Sequence, residues 1–212
     1  MNLTENEKEL YLYKYLPFNH YSLQLIINHE FYLSSPDLLN DPFEGDFIIR
    51  NYKELHNKRT IELLLNKYNK NDFLDNISYQ INYQKMLDDE DFFLNQLREY
   101  TSNALKMEFG TTSFSNNCNS LKMWSHYADS HKGFILIFDR NEIAVENQPP
   151  HAQLKEVNYN SLALIDLSFN KDKIIILNDE EILRNKLPEW SDEEEVRIIR
   201  KFTFNPEYQR LL

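Results

Sequence analysis

The segment WSDEEEVRIIRK, at positions 190–201, combines acidic and basic residues at a spacing that could support catalysis. If the segment forms a strand, Glu193, Glu195 and Arg197 share one face. Val196 and Ile198 then face the core. Two carboxylates on one face raise each other's pKa, and an adjacent guanidinium restores ionisation or orients one of them. Such a row could serve acid–base or electrostatic catalysis, or it could be a solvated edge strand with a cross-strand ion pair.

A second candidate region is SFSNNCNSLKMWSHYADSHKGFILIFD, which predicts a strand, a polar loop, a short helix and a further strand. His126 on that helix is a candidate catalytic group, since histidine is the side chain suited to proton transfer near neutral pH, with a structural histidine as the alternative. Tyr127 follows it, whereas Trp124 is most simply a core residue. His126 and His131 lack the spacing of a helical zinc pair, and the single cysteine adds no ligand spacing, so no metal site is expected.

The segment NDPFE, at positions 40–44, predicts a stiff turn. Asp41 precedes a proline and is held extended, and the side chains of Asn40 and Asp41 can bond to their own backbone. The turn is either purely structural, with Phe43 tucked inward, or it presents Asn40, Asp41 and Glu44 to a ligand.

Composition excludes several classes of protein. The chain of 212 residues has 23 Lys and Arg against 34 Asp and Glu, and a net charge of −11 argues against bulk nucleic-acid binding. Its 3 glycines are too far apart for a Rossmann or P-loop phosphate cradle, and its 1 cysteine excludes an internal disulfide framework. No apolar leader or run of about 20 apolar residues is visible, so we expect a cytoplasmic protein without a membrane span.

The elements that must position these residues fall into three zones. Residues 11–50 predict a strand, a helix, a brief strand over FYLSSP and a turn-rich loop. Residues 53–107, about the second quarter of the chain, predict a helical insertion packed on a sheet. Residues from 111 onward predict strands over TTSFS, GFILIF, LKEVNY, KIIIL and EEEVRIIRKFTF, with a helix over NDEEILRNKL. We therefore expect a single α+β domain over residues 1–212, with a mixed or antiparallel sheet that could be split.

Four blocks of this sequence resemble the bacterial domain-of-unknown-function 2971 family. The blocks are LYKY at 12–15, FYLSSPDLLNDPFE at 31–44, MWSHYADSHKGFILIFD at 123–139, and the closing residues Lys186, Trp190, Glu193, Glu195 and Arg197. Where the family pattern often has an aromatic residue between the last Glu and Arg, this chain has Val196. The family name supplies no mechanism, but the blocks fall in polar loops and strand ends, which are natural positions for a site.

More remotely, the chain is similar to ADP-ribosyltransferases, which carry a polar strand residue early, an S-x-S strand in the middle and an E-x-E pair late. The matching positions here are Tyr13 or Lys14, then Ser113 and Ser115, then Glu193 and Glu195. This resemblance implies that NAD is held without a glycine fingerprint, in the cleft of a split sheet. It also implies that Glu195 stabilises an oxocarbenium-like transition state. Tyr13, Tyr15 or Tyr127 could stack on the nicotinamide.

The leading hypothesis is an NAD-consuming transferase or NAD glycohydrolase, acting as an effector in bacterial defence or a toxin system. Its candidate catalytic residues are Glu195, Glu193 and His126; its candidate ligand contacts are Tyr13, Lys14, Tyr15, Ser113, Ser115, Trp124 and Tyr127, with Asn40, Asp41, Phe43, Glu44 and Arg197 as loop or substrate contacts.

Two alternatives remain open at this point. One is a non-catalytic interaction or sensor module that binds a partner protein or a small nucleotide. The other is a metal-dependent nuclease built on Asp41, Glu44 and the late glutamates, since carboxylates suit Mg²⁺. No basic run in the sequence suits a polyanionic substrate.

Overall fold

The computed structural model describes residues 10–39, 46–69, 76–146, 152–160, 162–170 and 173–202. The chain divides into two compact units. The first comprises Met1–Gly45, Lys106–Leu162 and Leu183–Leu212, and the second comprises Asp46–Leu105 and Ala163–Ile182. The α+β class is confirmed, because the described residues form helices and antiparallel sheet. The prediction of a single domain stays a prediction.

The strands in chain order are β1 (Tyr11–Leu16), β2 (Phe47–Ile49), β3 (Phe109–Ser115), β4 (Phe134–Asp139), β5 (Ala152–Glu156), β6 (Asn158–Tyr159), β7 (Ala163–Ile165), β8 (Leu167–Asn170), β9 (Lys173–Ile176), β10 (Asn185–Lys186) and β11 (Glu195–Lys201). The α-helices are α1 (His20–Asn28), α2 (Tyr52–Leu55), α3 (Lys58–Asn69), α4 (Asn76–Asp88), α5 (Glu90–Glu108), α6 (Leu121–Tyr127), α7 (Arg140–Glu146) and α8 (Asp179–Arg184). Two short 3-10 helices span Pro36–Leu38 and Pro188–Glu193.

The first unit is built on a five-stranded sheet with the order β4-β1-β3-β11-β5, in which every neighbouring pair is antiparallel. Strand alternation separates its two faces. On one face Leu12, Phe114, Val196 and Ile198 belong to the same apolar cluster. On the other face Tyr13 packs in a second cluster with residues from α6. The prediction that Val196 and Ile198 face the core is confirmed.

The sheet is split between β1 and β3. These two strands share a single register pair, Tyr13 with Ser115, whereas β1 pairs with β4 at every residue from Tyr11 to Leu16. Beyond that pair, β3 is bridged instead by Ser34, whose backbone exchanges hydrogen bonds of 2.8 and 2.9 Å with Thr111. The two strands are therefore joined at one point and part along the rest of their length.

The prediction of a strand over FYLSSP is wrong. Within this segment Tyr32 and Ser34 are isolated bridge residues, and Ser34 pairs with Thr111 of β3. The reason is Pro36, which fixes the backbone of the first residue of the 3-10 helix Pro36–Leu38 and carries no N–H for a ladder. The predicted helix over HYSLQLIINHE is present as α1, which begins at a capping box between Asn19 and Ser22.

The second unit contains the predicted helical segment. The described residues between positions 53 and 107 lie almost wholly in α2, α3, α4 and α5. The prediction that this segment packs on the sheet stays a prediction. The unit also has a parallel pair, β2 with β7, and an antiparallel pair, β8 with β9. Among the described residues, none of the helices combines the length and apolar character needed to cross a membrane.

Candidate functional site

A pocket of about 860 Å³ lies within the first unit, at the split in the sheet. It is lined by residues 13–17, from β1 and the turn after it, and by residues 111–114 of β3. The two strands are antiparallel and pair only at Tyr13 and Ser115. The pocket therefore lies where β1 and β3 are no longer paired. The remaining walls come from α1, the segment that follows it, α6 and the β10–β11 region.

Most of the predicted site residues line this pocket. They are Tyr13, Lys14, Tyr15, Ser113, Tyr127, Glu193, Glu195 and Arg197. Their side chains come from β1, β3, α6, the second 3-10 helix and β11, so residues almost two hundred positions apart share one cavity.

A buried ion cluster forms one side of the pocket. Arg197 donates from Nε to Oε1 of Glu195 at 2.7 Å and from Nη2 to Oε2 at 2.9 Å. Lys186 Nζ donates to Oε2 of Glu193 at 2.6 Å and to Oε2 of Glu195 at 3.2 Å. All four side chains are at most 5% exposed. Two carboxylates and two cations are thus matched in charge, which is the condition for keeping ions in a buried site.

Two tyrosines add hydrogen bonds to this cluster. The hydroxyl of Tyr127 donates to Oε1 of Glu193 at 2.9 Å. The backbone N–H of Glu195 donates to the hydroxyl oxygen of Tyr159 at 2.6 Å. Burial raises the pKa of Tyr159, and the nearby Glu195 and Glu193 raise it further, so this hydroxyl stays protonated.

The cluster shifts the pKa values of its members. Burial raises the pKa of Glu195 and is the largest influence, while the ammonium of Lys186 and a hydrogen bond from Ser113 lower it. Burial alone would lower the pKa of Lys186, but Glu195, Tyr127 and Glu193 together raise it above its ordinary value. Lys186 therefore stays positively charged and holds the two carboxylates together.

Lys14 lies in a different environment within the same pocket. Its Nζ donates to Oγ1 of Thr112 at 2.8 Å and to the backbone oxygen of Ser113 at 2.9 Å, both on β3. Burial lowers the pKa of Lys14 to about 8, with Glu195 acting in the opposite direction. No described carboxylate forms an ion pair with it.

The E-x-E pair is arranged differently from the predicted strand row. Glu193 ends the 3-10 helix Pro188–Glu193, and β11 begins only at Glu195. Between them Glu194 has φ 45° and ψ 50°, the left-handed region, which interrupts strand alternation. Glu193 and Glu195 nevertheless converge, because both carboxylates bind Lys186. The alternative of a solvated edge strand is wrong, since β11 lies between β3 and β5 and its first five residues are buried.

Three predicted residues lie outside the pocket lining. Ser115 is buried and donates from Oγ to the backbone oxygen of Glu193 at 2.6 Å, so it supports the E-x-E turn. Trp124 donates from Nε1 to the backbone oxygen of Cys118 at 3.3 Å and packs edge-on against Tyr15. His126 is exposed on α6, and its role as a catalytic group stays a prediction.

Asn40, Asp41, Phe43 and Glu44 lie outside the described residues, so the NDPFE predictions stay predictions. In the part of the chain that the structure describes, no group of three or more His, Cys, Asp or Glu side chains is placed to hold a metal ion.

Sequence reasoning missed the roles of Lys186 and Tyr159. In the sequence, Lys186 was named only among the residues that carry the family resemblance. In the structure its ammonium group donates hydrogen bonds to both Glu193 and Glu195. Its signal in the sequence was a basic residue placed between two acidic runs, at 179–181 and 192–195. Tyr159 gave no comparable signal, because its contact with Glu195 depends on how β6 lies beside the start of β11.

Comparison with known proteins supports one of the predicted resemblances. Residues 123–198 match the family model DUF2971, described as a protein of unknown function. The chain carries a DUF2971 segment. The match confirms that resemblance and covers residues 123–127 of α6, the buried ion cluster and the first residues of β11. No curated protein and no solved structure matches the chain.

Proposed function

We propose that this DUF2971 chain is a cytoplasmic, NAD-consuming enzyme of the ADP-ribosyltransferase or NAD-glycohydrolase type, working as an effector in bacterial defence or a toxin system. The observation that carries the proposal is the pocket at the split between β1 and β3. The remote resemblance implies NAD bound in the cleft of a split sheet without a glycine loop. The pocket volume of about 860 Å³ lies within the range of small-molecule sites.

The order of the strands supports the same proposal. Tyr13 pairs with Ser115 across β1 and β3, and Ser115 pairs with Glu195 across β3 and β11. The early, middle and late positions of the resemblance are therefore direct neighbours on three adjacent strands. These three residues are far apart in the sequence. They pair across neighbouring strands because the sheet has the order β1-β3-β11.

The two glutamates would then have separate tasks. Glu195 is fixed by Arg197 and Lys186 and would stabilise positive charge that develops on the nicotinamide ribose. An ionised carboxylate accepts about four hydrogen bonds. Glu193 receives bonds from Tyr127 and Lys186 among the described residues, so its remaining capacity could accept a ribose hydroxyl.

The test is release of nicotinamide from NAD by the full chain, with and without protein and nucleic-acid acceptors. We expect turnover by the unmodified protein and its loss in Glu195→Gln. Glu189→Gln, at an exposed position in the same 3-10 helix, is the matched control and should retain activity. Because Glu195 is buried, thermal unfolding of each variant must accompany the assay. Absence of nicotinamide release by the unmodified protein under all these conditions would refute the proposal.

A second candidate is a non-catalytic module that binds a small nucleotide or a partner protein. Its supporting observation is that both buried carboxylates are already engaged by cations. This candidate predicts a stable complex without turnover, whose affinity survives Glu195→Gln if the partner binds outside the pocket. No observation on the described residues favours the nuclease alternative.

A further inference from the structure

Two lysines line the pocket in opposite environments. Lys186 lies between two carboxylates, at 2.6 Å from Glu193 and 3.2 Å from Glu195. Among the described residues, Lys14 donates hydrogen bonds to neutral acceptors only, the hydroxyl of Thr112 and the backbone oxygen of Ser113. When two similar groups in one site have environments that separate their pKa values, they are suited to different tasks.

The contacts of Lys14 fit an uncharged amine. A neutral primary amine has two N–H groups and one lone pair. Thr112 Oγ1 at 2.8 Å and Ser113 O at 2.9 Å accept two hydrogen bonds, which satisfies both N–H groups. The lone pair is then left for a ligand, because Lys14 lines the cavity.

Burial, rather than the surrounding charges, favours the uncharged form of Lys14. Burial lowers the pKa of Lys14 to about 8, whereas a surface lysine titrates near 10.4. The carboxylates of Glu195 and Glu193 favour the charged form, but Lys186 and Arg197 already neutralise them. The remaining charged or titratable groups that line the pocket are Glu30, which is exposed, and the hydroxyls of Tyr13, Tyr15, Tyr21, Tyr32 and Tyr127. The ring of Phe114, whose centroid lies 5.1 Å from Nζ, favours the cation more weakly.

We propose that Lys14 is a nucleophilic amine that forms an imine with an aldehyde or ketone ligand bound at the split of the sheet. The amine nitrogen attacks the carbonyl carbon, a C–N bond forms, and the carbonyl oxygen takes up a proton. The nitrogen loses both of its protons, the oxygen leaves with two protons as water, and a C=N bond remains, so one carbonyl compound and one amine yield one imine and one water. This inference does not depend on NAD as the substrate.

The walls of the pocket indicate which carbonyl compounds it would take. Beside Lys14 and the ion cluster, the lining includes Leu25, Phe31, Tyr32, Leu38 and Met123. A ligand with an aromatic or apolar body and a carbonyl group at one end matches this lining. Benzaldehyde is therefore a suitable probe.

The experiment treats the full chain with limiting benzaldehyde and sodium cyanoborohydride, which reduces an imine to a stable secondary amine. Peptide mapping by mass spectrometry then locates and quantifies the label at several pH values. We expect one label per chain at Lys14, with a rate that is half-maximal near pH 8. Lys132, which is exposed in the same unit, should react at least tenfold more slowly at pH 8.

Two variants complete the test. Lys14→Arg keeps hydrogen-bond donors for Thr112 and Ser113 but cannot form an imine. The mapped label should therefore disappear while the thermal unfolding midpoint stays close to that of the unmodified protein. Lys132→Arg should leave the labelling at Lys14 unchanged. If Lys14→Arg fails to fold, the peptide map and the pH profile of labelling in the unmodified protein test the proposal on their own. Labelling of Lys14 no faster than of Lys132, or no inflection near pH 8, overturns the proposal.

Discussion

Arg197 binds both carboxylate oxygens of Glu195, at 2.7 and 2.9 Å, although both side chains lie on a buried strand. A third donor of Arg197, Nη1, binds the backbone oxygen of Leu183 at 2.8 Å. Such a fork fixes the carboxylate in position and direction as well as in charge. It also makes the two residues interdependent, since either charge left alone in the interior would be strongly unfavourable.

We therefore predict that Arg197→Met lowers the free energy of unfolding by about 3–5 kcal/mol, because it leaves Glu195 short of its main partner. The double variant Glu195→Gln/Arg197→Met should lose less than the sum of the two single variants. Urea denaturation measures all three. Arg50→Met is the control, because Arg50 and its ion-pair partner Asp166 are both partly exposed. This variant should lower the free energy of unfolding by less than about 1 kcal/mol. Equal losses in Arg197→Met and Arg50→Met would contradict this account.

Lys14 should give the protein a characteristic dependence of stability on pH. Between pH 8 and 10.5 the unfolded chain keeps a proton on this lysine that the folded chain has released, so stability rises with pH in that interval. In Lys14→Met this contribution is absent. From pH 7 to 10, the free energy of unfolding of the unmodified protein should therefore increase by about 1–3 kcal/mol relative to that of the variant.

Comparing the two proteins at each pH removes the contributions of the ionisable groups that both proteins share. Lys132→Met, at an exposed position, should show a difference that does not change with pH. A flat difference for Lys14→Met as well would show that this lysine is not desolvated in the folded protein.

The hydroxyl of Tyr127 should contribute measurably to the ion cluster. It donates to Oε1 of Glu193 at 2.9 Å, and a hydrogen bond to a charged acceptor contributes roughly 1.5–3 kcal/mol. We expect Tyr127→Phe to lower the free energy of unfolding by that amount in a urea titration. Tyr83→Phe is the control, because its hydroxyl makes no hydrogen bond to any described residue. A loss for Tyr127→Phe no larger than for Tyr83→Phe would rule out this contribution.

Gly133 should be intolerant of a side chain because of what surrounds it. A Cβ at this position would collide with the backbone oxygen of Leu16 and lie 2.9 Å from Cα of Ala128. Neither backbone group can move away as a flexible side chain would. Gly133→Ala should therefore destabilise the protein by roughly 1–3 kcal/mol, measured by thermal unfolding. Lys132→Ala, one position earlier and exposed, should change the midpoint little, and a similar shift in both would refute the steric explanation.

The alternation of β11 was predictable from sequence because it is a local property of strands. Val196 and Ile198 alternate with Glu195 and Arg197, and the core takes the apolar pair. The position of Glu193 was not predictable in this way. It depends on the left-handed backbone of Glu194, which is not glycine and carries no sequence signal for that conformation.

The pocket itself depends on long-range order that no local pattern contains. Lys14 was a candidate only through the remote resemblance, as a polar residue on an early strand, and its acceptors on β3 lie about a hundred positions away in the sequence. The split could be suggested only through the remote resemblance, since it arises where Ser34, rather than β1, meets Thr111.

The single register pair between β1 and β3 has a consequence for amide hydrogen exchange. Successive N–H groups of a strand point to opposite sides in the plane of the sheet. On one side of β1 they meet β4 along the whole strand, while on the other side the ladder with β3 stops at Tyr13. From Lys14 to Leu16, slowly and rapidly exchanging amides should therefore alternate. A ligand that fills the split would slow only the rapid set, so this strand would report occupancy of the pocket residue by residue.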